Sequence, residues 1–355
     1  MFESNFITSL IGFFVVLTPL IFIHELGHYY AAIRSGVKVE SFSIGFGPEI
    51  FGYTDKKNTR WKFSLIPLGG YVKMKGELIN ISNEIREKSY DKDAFLQANL
   101  FSRFFIVFSG PLANLLLGIL LIMGLYFFNG RYVSPPIINE VIESKPAMQS
   151  GLTSGDKILS INNKKINDFH DLKNIVENNP NKTLSFEVIR NDTIFFLNIV
   201  PDGYNIDTQR IVGRIGITAV RPELKKLPIL DALQFGLKDS ARMTYEWLQG
   251  LRSLFMLKVN KNEVMGPIGI AKISGSSLDR GLASIIFLMA ILSINLGLIN
   301  LLPIPALDGG YIMLFTYELI FRKPMSENIQ MILLKFGFLF LISLMILVTA
   351  FDLGL

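Results

Sequence analysis

The sequence predicts a polytopic α-helical membrane protein with a small mixed α/β domain inserted between two pairs of spans. Three observations lead to this fold class. Hydrophobic residues make up 50% of the 355 residues, four apolar stretches are long enough to cross a bilayer, and the polar segment 131–280 separates the second stretch from the third. The sequence therefore predicts a membrane core in two parts, 1–130 and 281–355.

The four predicted spans cover about 5–28, 104–128, 282–302 and 331–351. A helix rises 1.5 Å per residue, so about 20 apolar residues cross the roughly 30 Å of hydrocarbon. No positive charge precedes the first stretch and no small-residue cleavage site follows it, so we expect a retained span and not a removed signal peptide. Lys335 in the last span is expected to extend to the nearer interface.

The orientation of the spans follows from Lys and Arg in the shorter loops. The segment 34–103 is rich in both, and Arg322 and Lys323 lie between the third and fourth spans, whereas neither terminus carries any. Because short cytoplasmic loops accumulate positive charge, we expect both termini outside the cytoplasm. The net charge of +5 then reflects topology and contact with anionic lipid, and no nucleic-acid partner is expected.

A metal-ligand motif stands at the end of the first span, where the chain reads His24-Glu25-Leu26-Gly27-His28. On a helix, residues four apart share a face, so both imidazoles can bind one Zn²⁺ while Glu25 lies beside the water that zinc activates. A carboxylate there can take a proton from water and return it to a leaving amine, which is peptidase chemistry. The alternative is two interfacial histidines without a metal. Function is favoured because ionisable side chains at membrane depth are costly.

The third zinc ligand is predicted to be Asp308. With both termini outside, the first and third spans run in the same direction and end at a similar depth. The third span ends in the 300–310 stretch Asn-Leu-Leu-Pro-Ile-Pro-Ala-Leu-Asp-Gly-Gly, whose prolines interrupt the helix. A catalytic zinc has three protein ligands and one open position. The alternative for Asp308 is an ordinary Asp-Gly turn. The chain has no cysteine, which excludes disulfides and thiolate ligands.

Several further motifs accompany the metal-ligand residues. They are Ser-Gly-Pro-Leu-Ala-Asn at 109–114, Phe-Ser-Ile-Gly-Phe-Gly-Pro at 42–48, Ile-Pro-Leu-Gly-Gly-Tyr-Val-Lys-Met at 66–74 and Gly-Pro-Ile at 266–268. In combination, the chain resembles the site-2 protease family of intramembrane zinc metalloproteases, most closely its bacterial RseP (regulator of sigma-E protease) type.

The resemblance implies one Zn²⁺ per chain, bound by His24, His28 and Asp308, with Glu25 as the catalytic base. It also implies single-span membrane proteins as substrates, cut in or near the transmembrane segment. Examples are an anti-sigma factor already trimmed outside the membrane, in regulated intramembrane proteolysis, or a leftover signal peptide. The implied location is the bacterial cytoplasmic (inner) membrane.

Residues 131–203 are predicted to form one PDZ domain outside the cytoplasm. The stretch 146–162 carries the signature, and a helix from Asp168 to about Asn178 and an alternating strand from Leu184 follow it. Any small α/β domain would also explain this pattern. The best-known RseP-type proteins carry two tandem PDZ domains, whereas this chain has room for one. A bound peptide or protein C-terminus at this domain is a further expectation.

Three other segments receive predictions with open alternatives. The alternating pattern and glycines of the segment 40–76 predict a β-hairpin. The resemblance implies that it is membrane-associated and that an exposed edge near the active site takes a substrate by strand addition, the alternative being a soluble cytoplasmic hairpin. Asn114 and Asn300 are candidates for binding a substrate carbonyl, or for holding the helix bundle together. The segment 204–280 is predicted as a linker with an amphipathic helix at 228–257, which lies on the outer membrane face or packs on the PDZ domain.

The sequence therefore predicts an intramembrane zinc metalloendopeptidase. A rival reading is a non-catalytic adaptor with a structural zinc, but such a site has four closed protein ligands and the sequence offers three. A transporter is a second rival, and the spans lack the inverted repeat that many transporters have.

Overall fold

The computed structural model describes residues 5–77, 91–205, 211–256 and 265–354. In chain order the elements are α1 (Phe6–Arg34), β1 (Val39–Thr54), β2 (Arg60–Met74), a 3-10 turn (Phe95–Gln97), α2 (Leu100–Asn129), β3 (Arg131–Val133), β4 (Ile138–Val141), α3 (Pro146–Gln149), β5 (Lys157–Ile161), β6 (Lys164–Lys165), α4 (Phe169–Glu177), β7 (Leu184–Arg190), β8 (Thr193–Ile199), β9 (Asp202–Asn205), β10 (Ile211–Arg214), β11 (Ile217–Ala219), β12 (Glu223–Lys225), α5 (Ile229–Phe255), α6 (Pro267–Arg280), α7 (Leu282–Asn300), α8 (Asp308–Phe321) and α9 (Glu327–Asp352).

The chain divides into two compact units. One unit, called here the membrane unit, combines Met1–Phe127 with Pro228–Leu355, and the other, the inserted unit, is Phe128–Leu227. The four predicted spans are confirmed as the apolar helices α1, α2, α7 and α9, each long enough to cross a membrane. Large apolar side chains on these helices face outward, among them Phe6 (80% exposed), Leu120 (60%) and Phe336 (66%). An apolar surface of this extent indicates a lipid environment.

Two shorter helices of the membrane unit, α6 and α8, were not predicted from the sequence. Each has 14 residues and reaches about 21 Å, too short to span the hydrocarbon. The Asp352 carboxylate, at the end of α9, accepts hydrogen bonds of 2.9 Å from the backbone amides of Gly266 and Gly269. The motif at 266–268 therefore forms the N-terminus of α6, where backbone amides bind the Asp352 carboxylate.

The predicted amphipathic helix is confirmed as α5, although it turns its leucines outward. Its exposed leucines are Leu230, Leu233, Leu237 and Leu248. Its buried positions are small or polar, and the buried Asp239 accepts a hydrogen bond of 2.7 Å from the Tyr126 hydroxyl of α2. A helix on a water-soluble protein buries its apolar face, so this arrangement fits a lipid-facing surface. Residues 257–264, which include the predicted end of this helix, lie outside the described residues.

The predicted hairpin at 40–76 is confirmed as β1 and β2, but the two strands pair twice. Phe42 of β1 is opposite both Val72 and Trp61, so the long strands fold back into a ribbon of four extended segments. The segment 70–74, called here the edge segment, forms one side of this ribbon. The ribbon is fixed to α1 because the buried Phe42 ring packs on Phe22 and Tyr29 at centroid distances of 5.7 and 5.9 Å.

The inserted unit has a four-stranded sheet in the order β6-β5-β7-β8, with the helix α4 close to the predicted place. The Asp168 side chain caps α4 by accepting a hydrogen bond from the Asp171 amide. This unit continues past its predicted end at residue 203, because β11 pairs with β4 and β12 pairs with β3. The prediction of a linker from residue 204 is therefore wrong for these strands, while 206–210 lie outside the described residues.

Candidate metal centre

Two buried histidines on α1 form the base of the site. His24 and His28 are each 8% exposed, and their Nε2 atoms lie 3.2 Å apart. The Nδ1 atom of His28 donates a hydrogen bond of 2.9 Å to the backbone carbonyl of Ile106 in α2. Because a carbonyl only accepts, the His28 hydrogen sits on Nδ1, and the Nε2 lone pair is available to a metal.

The Asp308 carboxylate is brought to the two histidines as the first residue of α8. Its Oδ2 atom lies 3.1 Å from Nε2 of His24, and its Oδ1 atom lies 3.5 Å from Nε2 of His28. The chain reaches this point through a tight loop in which Ala306 has a φ of 82°. A side chain at Gly309 would collide with the Leu301 backbone, so the loop can fold over the helix start only with glycine there. The helix N-terminus also favours a carboxylate at this position.

The three side chains fit a bound Zn²⁺. Ligands at about 2.0–2.1 Å from a tetrahedral zinc stand about 3.3 Å from one another. The observed separations of 3.1, 3.2 and 3.5 Å bracket that value. Oδ2 of Asp308 is buried and has no hydrogen-bond partner within the described part of the chain. Two imidazole nitrogens facing each other also need a hydrogen or a cation between them, and a divalent cation satisfies all three ligands at once.

Glu25 lies beside this cluster and against the edge segment. The backbone amide of Val72 lies near its carboxylate. A Cβ atom at Gly70 would lie 3.1 Å from Cγ of Glu25. The edge segment therefore forms a wall of the site beside the carboxylate that the sequence assigns as catalytic base. Sequence reasoning had placed this ribbon near the active site but had not identified Gly70 and Val72.

The motif at 109–114 places two small groups of α2 next to the histidines. Gly110 faces the His28 ring, and a side chain there would occupy the position of that ring. Asn114 is fully buried, and its Nδ2 atom lies 3.3 Å from Nδ1 of His24. The structure thus brings Asn114 to a ring of the metal-ligand motif. Asn300 is the last residue of α7 and half-buried, and its role in substrate binding stays a prediction.

A cavity of about 260 Å³ adjoins this region, lined by Glu77, Arg103, Tyr311 and Glu318 among others. Burial raises the pKa of Glu77 to about 7, and the nearby charges of Glu25 and Asp308 act in the same direction. Sequence reasoning missed Glu77. The sequence around Glu77 does not distinguish this residue from the other charged residues that follow it.

A cluster of two histidines and one carboxylate, with a glutamate alongside and membrane-spanning helices around it, defines the class of membrane-embedded zinc proteases. The chain belongs to Peptidase family M50, the site-2 proteases, whose family model matches residues 12–344.

Curated relatives match along almost the whole chain. A Rickettsia conorii protein named "Putative zinc metalloprotease" is 39% identical over 351 residues, covering 97% of this chain and 98% of the relative. A Rhizobium meliloti protein of the same description is 34% identical, covering 94% and 92%. The Enterococcus faecalis protein named "Probable protease eep" is 34% identical, covering 97% and 98%. The protein is thus a membrane-embedded zinc metalloprotease of the site-2 protease family.

Among solved structures, the PDZ domain of an SdrC-like protein from Listeria monocytogenes matches 24% of this chain and 88% of its own. The sequence identity is 22% and the TM-score 0.22. The PDZ assignment stays a prediction.

Proposed function

We propose that the protein is an intramembrane endopeptidase that cuts single-span membrane proteins in or beside their transmembrane segment. The observation that carries this proposal is the meeting of three elements at one point: the ligand cluster of His24, His28 and Asp308, the Glu25 carboxylate, and the edge segment. Each chain is proposed to hold one Zn²⁺ through these three ligands.

The edge segment supplies the proposed means of holding the substrate. A peptide bond inside a helix is screened by the helix's own turns, so the substrate must be extended before it is cut. Backbone groups along the outer side of residues 70–74 can hydrogen-bond an extended peptide as an added strand, except the Met74 amide, which donates to the Glu77 carboxylate. Such a strand would run past Glu25, which lies close to both Gly70 and Val72.

The chemical step needs a base within reach of the attacking water. Zinc, when bound, polarises the scissile carbonyl and makes water more acidic. Glu25 takes the proton from the attacking water and delivers it to the leaving amine. The backbone amide of Val72 lies beside this carboxylate, and Nδ1 of His28 is fixed by the carbonyl of Ile106.

The proposed setting is the bacterial cytoplasmic membrane, with both termini and the inserted unit outside the cytoplasm. This placement rests on the Lys and Arg of the short loops. As a PDZ domain, the inserted unit would exclude untrimmed proteins by bulk or bind a newly formed C-terminus. Anti-sigma factors already cut outside the membrane, and remnants of signal peptides, are the proposed substrates in regulated intramembrane proteolysis.

The test is Glu25→Gln in membranes with a tagged single-span substrate, with zinc content measured on the same preparation. We expect zinc to stay bound and cleavage to fall by about 10² to 10⁴-fold, the range for loss of general acid-base catalysis. Glu143→Gln, at an exposed position of the inserted unit, serves as the matched control and should cleave normally. Unchanged cleavage by a zinc-loaded Glu25→Gln protein would refute the proposed function.

A further inference from the structure

Asn114 lies where α1, α2 and α7 meet, next to a predicted zinc ligand. Its side chain is fully buried and reaches Nδ1 of His24, the ring nitrogen on the side away from Asp308. Its backbone carbonyl accepts a hydrogen bond of 2.7 Å from the buried Ser293 hydroxyl of α7. Gly118 of α2 and Gly297 of α7 allow the two helices to pack closely next to this contact. The residue is therefore held firmly at both its backbone and its side chain.

The amide of Asn114 can meet the His24 ring in two ways. As a donor, its NH₂ group gives a hydrogen bond to Nδ1, and the ring hydrogen must then be on Nε2. An Nε2 that carries a hydrogen has no lone pair for a metal. As an acceptor, reached by a half-turn of the amide, Oδ1 takes the hydrogen of Nδ1 and leaves the Nε2 lone pair free.

The surroundings of Asn114 favour the acceptor arrangement once a cation is present. In the donor arrangement Oδ1 is buried and has no partner among the described residues. Accepting from the ring N–H satisfies that oxygen. The same pattern is already in place at the neighbouring ligand, where Nδ1 of His28 donates to the Ile106 carbonyl. In both cases a group on α2 fixes the hydrogen on Nδ1 and points Nε2 at the ligand cluster.

We propose that Asn114 is a positioning residue for the metal, accepting the Nδ1 hydrogen of His24, and that it does not bind substrate directly. This inference rests on the proposed function only in taking His24 as a zinc ligand. The positioning role and a substrate-binding role would use different atoms of the Asn114 side chain. A substrate carbonyl needs the NH₂ group, whereas the His24 ring needs the oxygen.

The test compares Asn114→Asp and Asn114→Leu in the full-length protein, with zinc affinity measured by chelator competition. Aspartate keeps the acceptor oxygen and loses the NH₂ group, while leucine loses both. Removing such a partner of a metal-bound histidine costs about 10 to 100-fold in metal affinity. We expect Asn114→Leu to bind zinc 10 to 100-fold more weakly, and Asn114→Asp to bind at least as tightly as wild type. Ser109→Ala removes a buried hydroxyl of α2 that, among the described residues, is bonded only to the Phe105 carbonyl, and should leave affinity unchanged.

Three results would overturn the inference. They are an Asn114→Leu protein that binds zinc like wild type, an Asn114→Asp protein weakened as much as the leucine variant, and a Ser109→Ala protein weakened to the same extent. If the leucine variant does not fold, the near-isosteric aspartate variant still decides, because loss of affinity there contradicts the acceptor role. A wild-type protein that binds no zinc would instead refute the proposed function, so the two failures are distinguishable.

Discussion

Replacing Gly70 by alanine should slow proteolysis while leaving zinc in place. The new Cβ atom would lie 3.1 Å from Cγ of Glu25, 3.1 Å from Cγ2 of Ile21 and 2.8 Å from the backbone oxygen of Ser43. The backbone of Gly70 does not have a positive φ, so alanine is not excluded by conformation. The substitution therefore acts through contact, and one of the groups it crowds is the proposed catalytic base.

The size of the effect follows from these distances. Ordinary carbon contacts begin near 3.4 Å, so relief at Glu25 requires a shift of a few tenths of an ångström. A misplacement of about 1 Å in an active site can cost about 10²-fold in rate. A shift of about a quarter to half of that distance then predicts a loss of about three to tenfold, or about 0.7–1.4 kcal/mol in barrier height. Gly70→Leu, which cannot be accommodated by small shifts, should lose about 10²-fold or more.

The assay is cleavage of a tagged single-span substrate by purified protein, with zinc content and kcat determined on each preparation. Gly124→Ala is the matched control, because a side chain at that position of α2 meets nothing within 4 Å. Cleavage by Gly70→Ala at the wild-type rate would refute this prediction. The prediction is equally refuted if the variant loses zinc in proportion to activity, since the edge segment would then support the metal and not the base.

Two further substitutions test the packing of each unit. Asp156→Asn should destabilise the inserted unit by about 1–3 kcal/mol at pH 7. The reason is that the fully buried carboxylate accepts hydrogen bonds of 2.6 and 2.7 Å from Arg190, whose side chain is about a third exposed. Burial opposes ionisation, but these bonds outweigh it and lower the pKa of Asp156. The stabilisation is thus present above the unfolded pKa of about 3.9 and lost as the pH falls further; a stability difference that persists unchanged at pH 2 would contradict this. Gly337→Leu should push α9 away from the backbone of Pro305 and lower the stability measured by thermal unfolding by about 1–3 kcal/mol. Gly250→Leu, where a side chain meets nothing within 4 Å, should lower stability far less. Equal losses of stability would argue against the close approach of α9 to Pro305.

The parts of the fold that the sequence predicts are those carried by local pattern. The four spans are continuous apolar runs, and the spacing of His24 and His28 puts both rings on one helix face. Asp308 was predicted from topology, because two spans that run in the same direction end at the same side of the membrane. The structure brings its carboxylate to both rings. Its place as the first residue of a helix, and not in a turn, was missed.

The parts that the sequence does not predict depend on distant partners. Nothing near Asn114 indicates that it faces His24, because that contact depends on how α2 packs on α1. The double pairing of β1 with β2 also requires knowledge of which segments fold back. The strands after residue 210 escape prediction for the same reason, since β11 and β12 are short and find their partners at the start of the inserted unit.

The membrane unit is interrupted in sequence, and this has a consequence for biosynthesis. The ribosome makes Asp308 roughly 280 residues after His28, which at about 5–20 residues per second is an interval of about 15 to 60 seconds. During that interval the nascent polypeptide holds two of the three proposed ligands and the glutamate, while the inserted unit is being made. Hydrolytic competence through this proposed centre therefore cannot arise before Asp308 has been synthesised.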